Sequence, residues 1–492
     1  MSEAHRYPGT WWVATDGETD GDARVGGVLT IDDAGRAHLE VMSALVDRRV
    51  PGATIRRPAR SLVKPRLIHG ASRGRKIALL GCTRANGGKV DVGEVTTETQ
   101  MFRAEAVVVG YWLHDAEDAI FGGMRVEISH LTEWVGLSAL SWHLVTGHPD
   151  DVPSGARNET VHTVELRTVP TVEVDLPNEG IRVALLSAQS IGPGGKENAW
   201  GHTHQVRERT LYEVRTSELR HAFDFQEAIR PMQNLLTLAT QSGCSVGSRN
   251  LISADTDASA RPAQLYFHGE DIAINTSLMP HQLLFTLDDL GGAAALNRWY
   301  TLSRRIGRPL NVLFGLDYET GGYHETRLFI VATVVEGFHS ALCATSRAIT
   351  RAEHKMVRQL VDDALAGAER HLRDWASNAV GHNRSGLTQR CRELAALVDP
   401  AAAKMLLGDI DMWAQWLVHA RNTVGHGKQN DPRHERASEE AYARLESVTK
   451  HLLHLVLMSQ LGLHSTLQQR AVADIWGYEA RRFRELIVQE NT

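Results

Sequence analysis

Hydrophobic and polar residues alternate through the first 150 positions with the period of two expected of strands buried on one face. Val28–Leu29–Thr30–Ile31, the turn residues Asp32–Asp33–Ala34–Gly35 and the run Ala37 to Val41 form a hairpin signal. Lys76 to Cys82, Glu105 to Gly110 and Met124 to Ser129 are further strand candidates, separated by glycine-rich turns such as Asn86–Gly87–Gly88. No helical crossover lies between them, which argues against a parallel α/β sheet. The alternation resumes from Val161 to Val214. Val172, Val174 and Leu176 share one strand face, and Leu211 to Arg215 makes another strand. A helix is predicted over Glu218 to Gln241, broken or kinked at Pro231. Short strands follow at Leu265 to Phe267 and Leu283 to Leu287, then mixed helix and turn from Asn297 to Leu316.

Past Gly321–Gly322 the period becomes helical. Leu328, Ala332, Val335, Phe338 and Leu342 fall three or four apart and define one buried stripe. Arg351 to Ser377 reads as a second helix, with Leu360, Ala364 and Leu372 among its apolar positions. Leu387, Cys391, Leu394 and Leu397 mark a third, closed by Asp399–Pro400, and Leu406, Ile410, Trp413, Leu417 and Val424 stripe a fourth. Ser438 suits the N-cap of the next long helix, and Leu467 to Val488 reads as a last amphipathic helix carrying Arg481, Arg482 and Arg484. Short connections between helices predict an antiparallel bundle. The expected fold is therefore multidomain α+β: a β-rich N-terminal part of antiparallel sheets over 1–150, a second β-rich or mixed part over 151–320, and an all-α bundle over 321–492.

A chain of 492 residues exceeds one hydrophobic core, and 42% hydrophobic with 23% charged residues is a globular composition. The net charge of −6 excludes a protein that coats nucleic acid by bulk electrostatics. From Ile330 onward, 20 Lys+Arg stand against 19 Asp+Glu, so any nucleic-acid site there has to be local. The cysteines Cys82, Cys244, Cys343 and Cys391 contain no C-x-x-C pair, which argues against a zinc ribbon or a disulfide framework. No secretory signal opens the chain, and the longest apolar stretch, Leu452 to Leu463, is too short to span a bilayer. A cytoplasmic protein is expected.

Three motifs fail on inspection. Ser190 to Glu197 superficially suggests a phosphate loop, but its first glycine is missing and Glu197 stands where a Mg²⁺-binding hydroxyl belongs. His202–Thr203–His204 offers two imidazoles on one strand face without a third ligand at a diagnostic spacing; a metal-dependent hydrolase centred there would be stopped by chelation. Trp11–Trp12 reads as a core anchor and its neighbour rather than a base-stacking platform.

The informative segment is Arg421–Asn422–Thr423–Val424–Gly425–His426, at the end of the fourth helix. Arg421 falls on or beside the buried stripe, where a guanidinium needs a partner or a function. On a continuous helix Arg421 and His426 diverge by about 140°, but a break at Gly425 would let them converge. A histidine can take the proton of an RNA 2′-hydroxyl or protonate the leaving oxygen. An arginine can hold two phosphate oxygens and stabilise the charge of the transition state, while Asn422 adds an amide. One histidine leaves the reaction an acid or base short, which a symmetric dimer would supply.

This Arg-Asn-x-x-x-His string, late in a helical bundle, resembles the signature of HEPN-domain ribonucleases. Gly9–Thr10–Trp11–Trp12 with Gly27–Val28–Leu29–Thr30, Leu67–Ile68–His69–Gly70 followed by Ile77 to Cys82, Val109–Gly110–Tyr111–Trp112, Phe121 and Val126 to Trp134 resemble the β-rich domain of the ApeA family of anti-phage defence proteins. Val335–Glu336–Gly337–Phe338–His339 resembles the first bundle helix of the same family. The resemblance implies an infection sensor fused to a metal-independent HEPN endoribonuclease that acts by abortive infection. It further implies an RNA substrate, a homodimer formed through the HEPN domain, a phage-encoded activator protein and no cofactor. Arg421, Asn422 and His426 would be catalytic, with Lys428 and Glu336 as RNA contacts or supports. Glycines on both sides of His426 depart from the pattern and would make that residue unusually mobile. Against this stands a plainer reading, in which Arg421 pairs with Asp409 or Glu336, His426 caps its helix, and the bundle only binds RNA or serves as a scaffold. Glu336 and His339 are expected on the flank of the first helix.

Overall fold

The computed structural model describes residues 4–14, 24–43, 45, 65–92, 95–146, 160–193, 204–253, 262–269, 278–319, 321–343, 347–383, 385–426 and 439–490. They form two compact units: Met1–Leu236 with Cys244–Ser277, and Thr237–Gly243 with Leu278–Thr492.

The first unit is built on antiparallel strands. In chain order these are β1 (His5–Val13), β2 (Val25–Ile31), β3 (Ala37–Val41), β4 (Leu67–Ser72), β5 (Arg75–Leu80), β6 (Thr83–Val92), β7 (Val95–Ala104) and β8 (Ala106–Val109). After β9 (Phe121–Ile128) and the short helix α1 (Leu131–Val135) come β10 (Leu140–Thr146), β11 (Thr160–Leu166), β12 (Val172–Leu176), β13 (Ile181–Pro193) and β14 (His204–Arg220). Helix α2 (Phe225–Thr240) precedes β15 (Val246–Ser253) and β16 (Ala263–Phe267). All but β10 and β11, which pair with each other, join one 14-stranded sheet.

The sheet closes on itself at one end. β7 and β8 are a single run bent at Glu105: β7 pairs with β3, and β8 pairs with β5. The pairs β5–β4, β4–β1, β1–β2 and β2–β3 complete the circuit. Alternate residues Leu29 and Ile31, Leu39 and Val41, Ile77 and Leu79, and Val107 and Val109 point inward around Trp11 and Phe102, and all are buried. Trp12, on the opposite face, is buried as well.

The hairpin at 28–41 and the strands near 76–82, 105–110 and 124–129 form as expected. Asn86–Gly87–Gly88 does not turn; it lies inside β6, where β7 supplies its ladder and a register shift at Arg84/Asn86 absorbs the irregularity that glycine invites. The segment after Glu218 first completes β14, whose Arg220 pairs with Phe121, and the helix starts only at Phe225. It continues through Pro231. Ser190 to Pro193 end β13, whereas Gly194 to Glu197, His202, Thr203, Lys428 and Ser438 lie outside the described residues.

The second unit is helical: α3 (Ala295–Ile306), α4 (Arg308–Tyr318), α5 (His324–Leu342), α6 (Arg351–Ala364), α7 (Arg370–Val380), α8 (Leu387–Ala395) and α9 (Pro400–Leu407). α10 (Ile410–His426), α11 (Glu439–Gln460), α12 (Ser465–Arg470), a π-helical turn at Ala471–Ile475 and α13 (Gly477–Glu490) complete it. Leu283 to Leu287 is no strand: the Leu284 N–H donates to the Ala239 carbonyl at 2.8 Å, and Arg470 donates to the carbonyls of Leu283 and Leu284. Its backbone is satisfied without a sheet. Three expected long helices are each divided, Leu467–Val488 by the π-helical turn between α12 and α13. The Arg351–Ser377 run breaks in the turn containing Gly367, and the Leu406–Val424 run breaks at Gly408, which adopts φ +74°. Asp409 Oδ1 then accepts from the N–H groups of Asp411 and Met412 and starts α10.

α5 is the centre of this unit. Leu328, Val331, Ala332, Val334, Val335, Phe338, His339 and Leu342 are all buried, so its charged residues need partners. Arg327 donates to the Leu316 carbonyl at the end of α4 and lies 3.0 Å from Glu446 of α11, itself buried. Removing that guanidinium leaves the buried Glu446 with only the more exposed His324 ring, 3.5 Å away, and takes the donor from the α4 carbonyl. Arg327→Ala should therefore lower stability by about 3–5 kcal/mol, measured by denaturant unfolding; a loss below about 1 kcal/mol would contradict the pairing.

Two buried histidines of α11 add a pH dependence. His454 donates through Nδ1 to Gln241 Oε1 at 3.2 Å, and Trp476 donates to the same oxygen at 3.1 Å. His451 stacks on Trp476 with ring centroids 4.4 Å apart. Burial, reinforced by the Lys450 charge, pushes both imidazoles well below their ordinary 6.5. The unfolded chain thus binds protons that the folded chain refuses, and the stability is fully present above pH 6.5 and falls as the pH drops through it. Melting temperatures from pH 7.5 to about 5.5 should show this slope, and His454→Gln should flatten it; an unchanged slope would contradict the assignment.

Candidate functional site

The candidate site lies where α10 crosses α5 and α8. Gly425 explains how α10 comes so close: a Cβ there would sit 3.2 Å from the Phe329 ring of α5. Gly337, one turn above Thr333 on α5, plays the same part toward α4, since a Cβ would meet the Pro309 ring at 2.4 Å. The helix does not break at Gly425. α10 is continuous to His426, so positions 421 and 426 stay about 140° apart around its axis. The glycine serves close packing rather than a kink.

Arg421 is one-third exposed. Its Nη2 lies 3.6 Å from Glu336 Oε1, and Nη1 donates to Asn422 Oδ1 at a long 3.3 Å. Its Nε is buried and has no hydrogen-bond partner. A guanidinium carries five N–H donors, so most of this one's capacity is uncommitted among the described residues. Glu336 is shared. Its Oε2 accepts from Arg390 Nη1 at 3.2 Å, and Arg390 is fixed in turn by donating to the Ser385 carbonyl. One carboxylate thus stands between two guanidiniums, with the tighter contact to Arg390. Asp409, the other partner considered for Arg421, is occupied in capping α10.

One turn along α5, His339 is fully buried rather than on the flank. Its Nε2 hydrogen-bonds Glu393 of α8, whose other oxygen accepts from Gln389 at 2.8 Å. These two bonds hold the Glu393 carboxyl below its usual range. The donor atoms of His339, Cys343 and Glu393 lie within 4.8 Å of one another, a set able to hold a divalent ion. Burial and the Glu393 charge push the Cys343 thiol up, and the His339–Glu393 hydrogen bond engages only Nε2, leaving the buried His339 Nδ1 without a hydrogen-bond partner. Burial and Glu336 likewise push Cys391 up to about 12, which makes it an inert core thiol.

Arg390 and Glu393 are the site residues that sequence reasoning missed. They sit on a short helix among Cys391 and Leu394, and nothing in their spacing links them to α5; only the packing does. Of the pair His202 and His204, His204 opens β14, paired with Pro193.

Among the described residues, no helix is long and apolar enough to cross a membrane. No curated protein and no solved structure matches the chain. Two family models do: ApeA N-terminal domain 1 over residues 6–299 and Apea-like HEPN over residues 329–467. The second contains Glu336, Arg390, Arg421 and His426, and the first alone spans more than half of the sequence. With a large antiparallel sheet followed by helices, and both models in that order, the chain belongs to the ApeA family, an ApeA N-terminal domain joined to an ApeA-like HEPN domain.

Proposed function

We propose that this protein is a metal-independent HEPN endoribonuclease of anti-phage defence, acting by abortive infection in the cytoplasm. The family points to defence and to the HEPN nucleases; the observation that carries the reading further is the uncommitted guanidinium of Arg421. Held loosely by Glu336 and Asn422, it can turn its free donors to two phosphate oxygens of RNA. His426 takes the proton from the 2′-hydroxyl, whose oxygen attacks the phosphorus. The P–O5′ bond breaks, a second acid protonates the leaving oxygen, and a 2′,3′-cyclic phosphate and a 5′-hydroxyl result.

Asn422 orients Arg421, Glu336 supports it, and Lys428 contacts the RNA backbone. Because positions 421 and 426 diverge on an unbroken helix, two copies of the motif facing each other across a dimer make a fuller site than one. HEPN domains commonly dimerise and bind RNA, which supports this arrangement. The recognition module, over 1–150 and 151–320, senses a phage-encoded protein and releases the nuclease over 321–492 by favouring its active state.

Arg421→Ala and His426→Ala should each reduce RNA cleavage at least about 100-fold. Chelation should change nothing, and melting temperatures should stay close to wild type, because Glu336 keeps Arg390 as its partner. Cleavage retained in both variants at native stability would refute the site. For control, a chain starting at Thr237 keeps Ala239 and Gln241 with the helical unit, together with α3 and α4. It should either be toxic to uninfected cells in a His426-dependent way or fail to respond to phage. A truncated chain that protects against phage and remains harmless would show that the N-terminal unit is not the sensor.

A further inference from the structure

A second side-chain cluster joins α5 to α8, one turn from the Glu336–Arg390 pair. His339 follows Glu336 on α5, and Glu393 follows Arg390 on α8. Cys343 caps α5, and its N–H donates to the His339 carbonyl at 2.9 Å, so the two residues stand one turn apart on one face. One donor atom from each of His339, Cys343 and Glu393 lies within 4.8 Å of the others. The His339 ring is fully buried, yet only its Nε2 has a partner, the Glu393 carboxylate. Its Nδ1 is buried with none. Buried polar atoms are ordinarily paired, so a bare ring nitrogen beside a thiol and a carboxylate calls for a reason. Glu393 is about one-third exposed and Cys343 is partly exposed, which opens the cluster to solvent on that side.

We infer that His339, Cys343 and Glu393 bind one zinc ion, which ties the end of α5 to α8. The donor set selects the metal. A thiolate, an imidazole and a carboxylate suit zinc, whereas magnesium and calcium take oxygen ligands. Zinc bonds of about 2.0–2.3 Å place tetrahedral ligand atoms about 3–4 Å apart. The partly exposed Cys343 and Glu393 side chains reach that spacing by rotation, while the buried ring stays in place. A neutral imidazole carries its proton on either nitrogen and offers the other as a lone pair, and no second hydrogen bond fixes the tautomer of His339. The ion takes the place of the hydrogen shared by His339 and Glu393, the Cys343 thiol releases its proton on binding, and water fills the fourth position on the open side. The ion stands apart from the cleavage step, and the inference does not depend on the function proposed above.

Titration of the reduced, metal-stripped full chain with Zn²⁺, and with Co²⁺ as its spectroscopic substitute, tests this. Wild type should bind one equivalent of Zn²⁺ and melt at a higher temperature with it, and Co²⁺ should show a thiolate charge-transfer band. Cys343→Ser should remove that band and weaken zinc at least about 100-fold, and Glu393→Gln should weaken zinc at least about tenfold and keep the band. Both positions are partly exposed, so both variants should keep the wild-type circular dichroism. Cys82, Cys244 and Cys391 are buried, which leaves Cys343 to account for the band. A wild type that binds no zinc overturns the inference. So does cobalt bound without a thiolate band, or a band that survives Cys343→Ser, because either puts the ion on other residues. Equal zinc affinity in Glu393→Gln and wild type takes the carboxylate out of the set and overturns it as well.

Discussion

A helix buried on most of its sides has no water for its charges, and that constraint on α5 organises the helical unit. Its ionisable residues toward the interior meet partners on three neighbouring helices: Arg327 with Glu446 of α11, Glu336 with Arg390 of α8 and Arg421 of α10, His339 with Glu393 of α8. The pairs therefore orient the surrounding helices as well as satisfying α5. The candidate site follows from the same requirement. Glu336 is held mainly by Arg390, and what remains of its charge keeps Arg421 near without saturating it. A guanidinium positioned in this way is attracted to the site and still free to bind an anion.

The first unit solves a different problem. A long antiparallel sheet has edges, and bending one strand at Glu105 so that β7 and β8 serve two neighbours closes part of it around Trp11 and Phe102. Much of this was legible, because alternation reports which face is buried: Leu29 and Ile31, or Val107 and Val109, are inward as their spacing predicts. What alternation does not report is pairing. Asn86–Gly87–Gly88 has the composition of a turn, but a neighbouring strand can hold glycines extended. Leu283 to Leu287 has the composition of a strand, but a helix carbonyl and Arg470 take its hydrogen bonds.

In the helical unit the stripe of α5 was readable from periodicity, and Arg421 stood out as a charge beside an apolar face. Glu336 was among the partners offered for it, but Arg390, which shares that carboxylate, was not, since Arg390 and Glu336 are 54 residues apart in sequence and meet only through tertiary packing. Gly425 was misleading for a physical reason. Glycine permits a break and also permits close approach, and only the position of Phe329 decides between them. The run from Arg351 to Ser377 carried the right periodicity for burial, but the fold leaves Leu360 and Trp375 exposed. Periodicity shows that a face is apolar, not whether the cover comes from the same chain.

The most direct test of the account asks whether Arg421 acts through the geometry of its donors or through its charge alone. Lysine keeps the charge but loses the planar fork that grips two phosphate oxygens. RNA from phage-infected cells carrying the wild-type or the Arg421→Lys chain can be sequenced for new 5′-hydroxyl ends. The account predicts discrete new ends with wild type and their disappearance with Arg421→Lys at equal protein level. The same ends at the same abundance in both would contradict it.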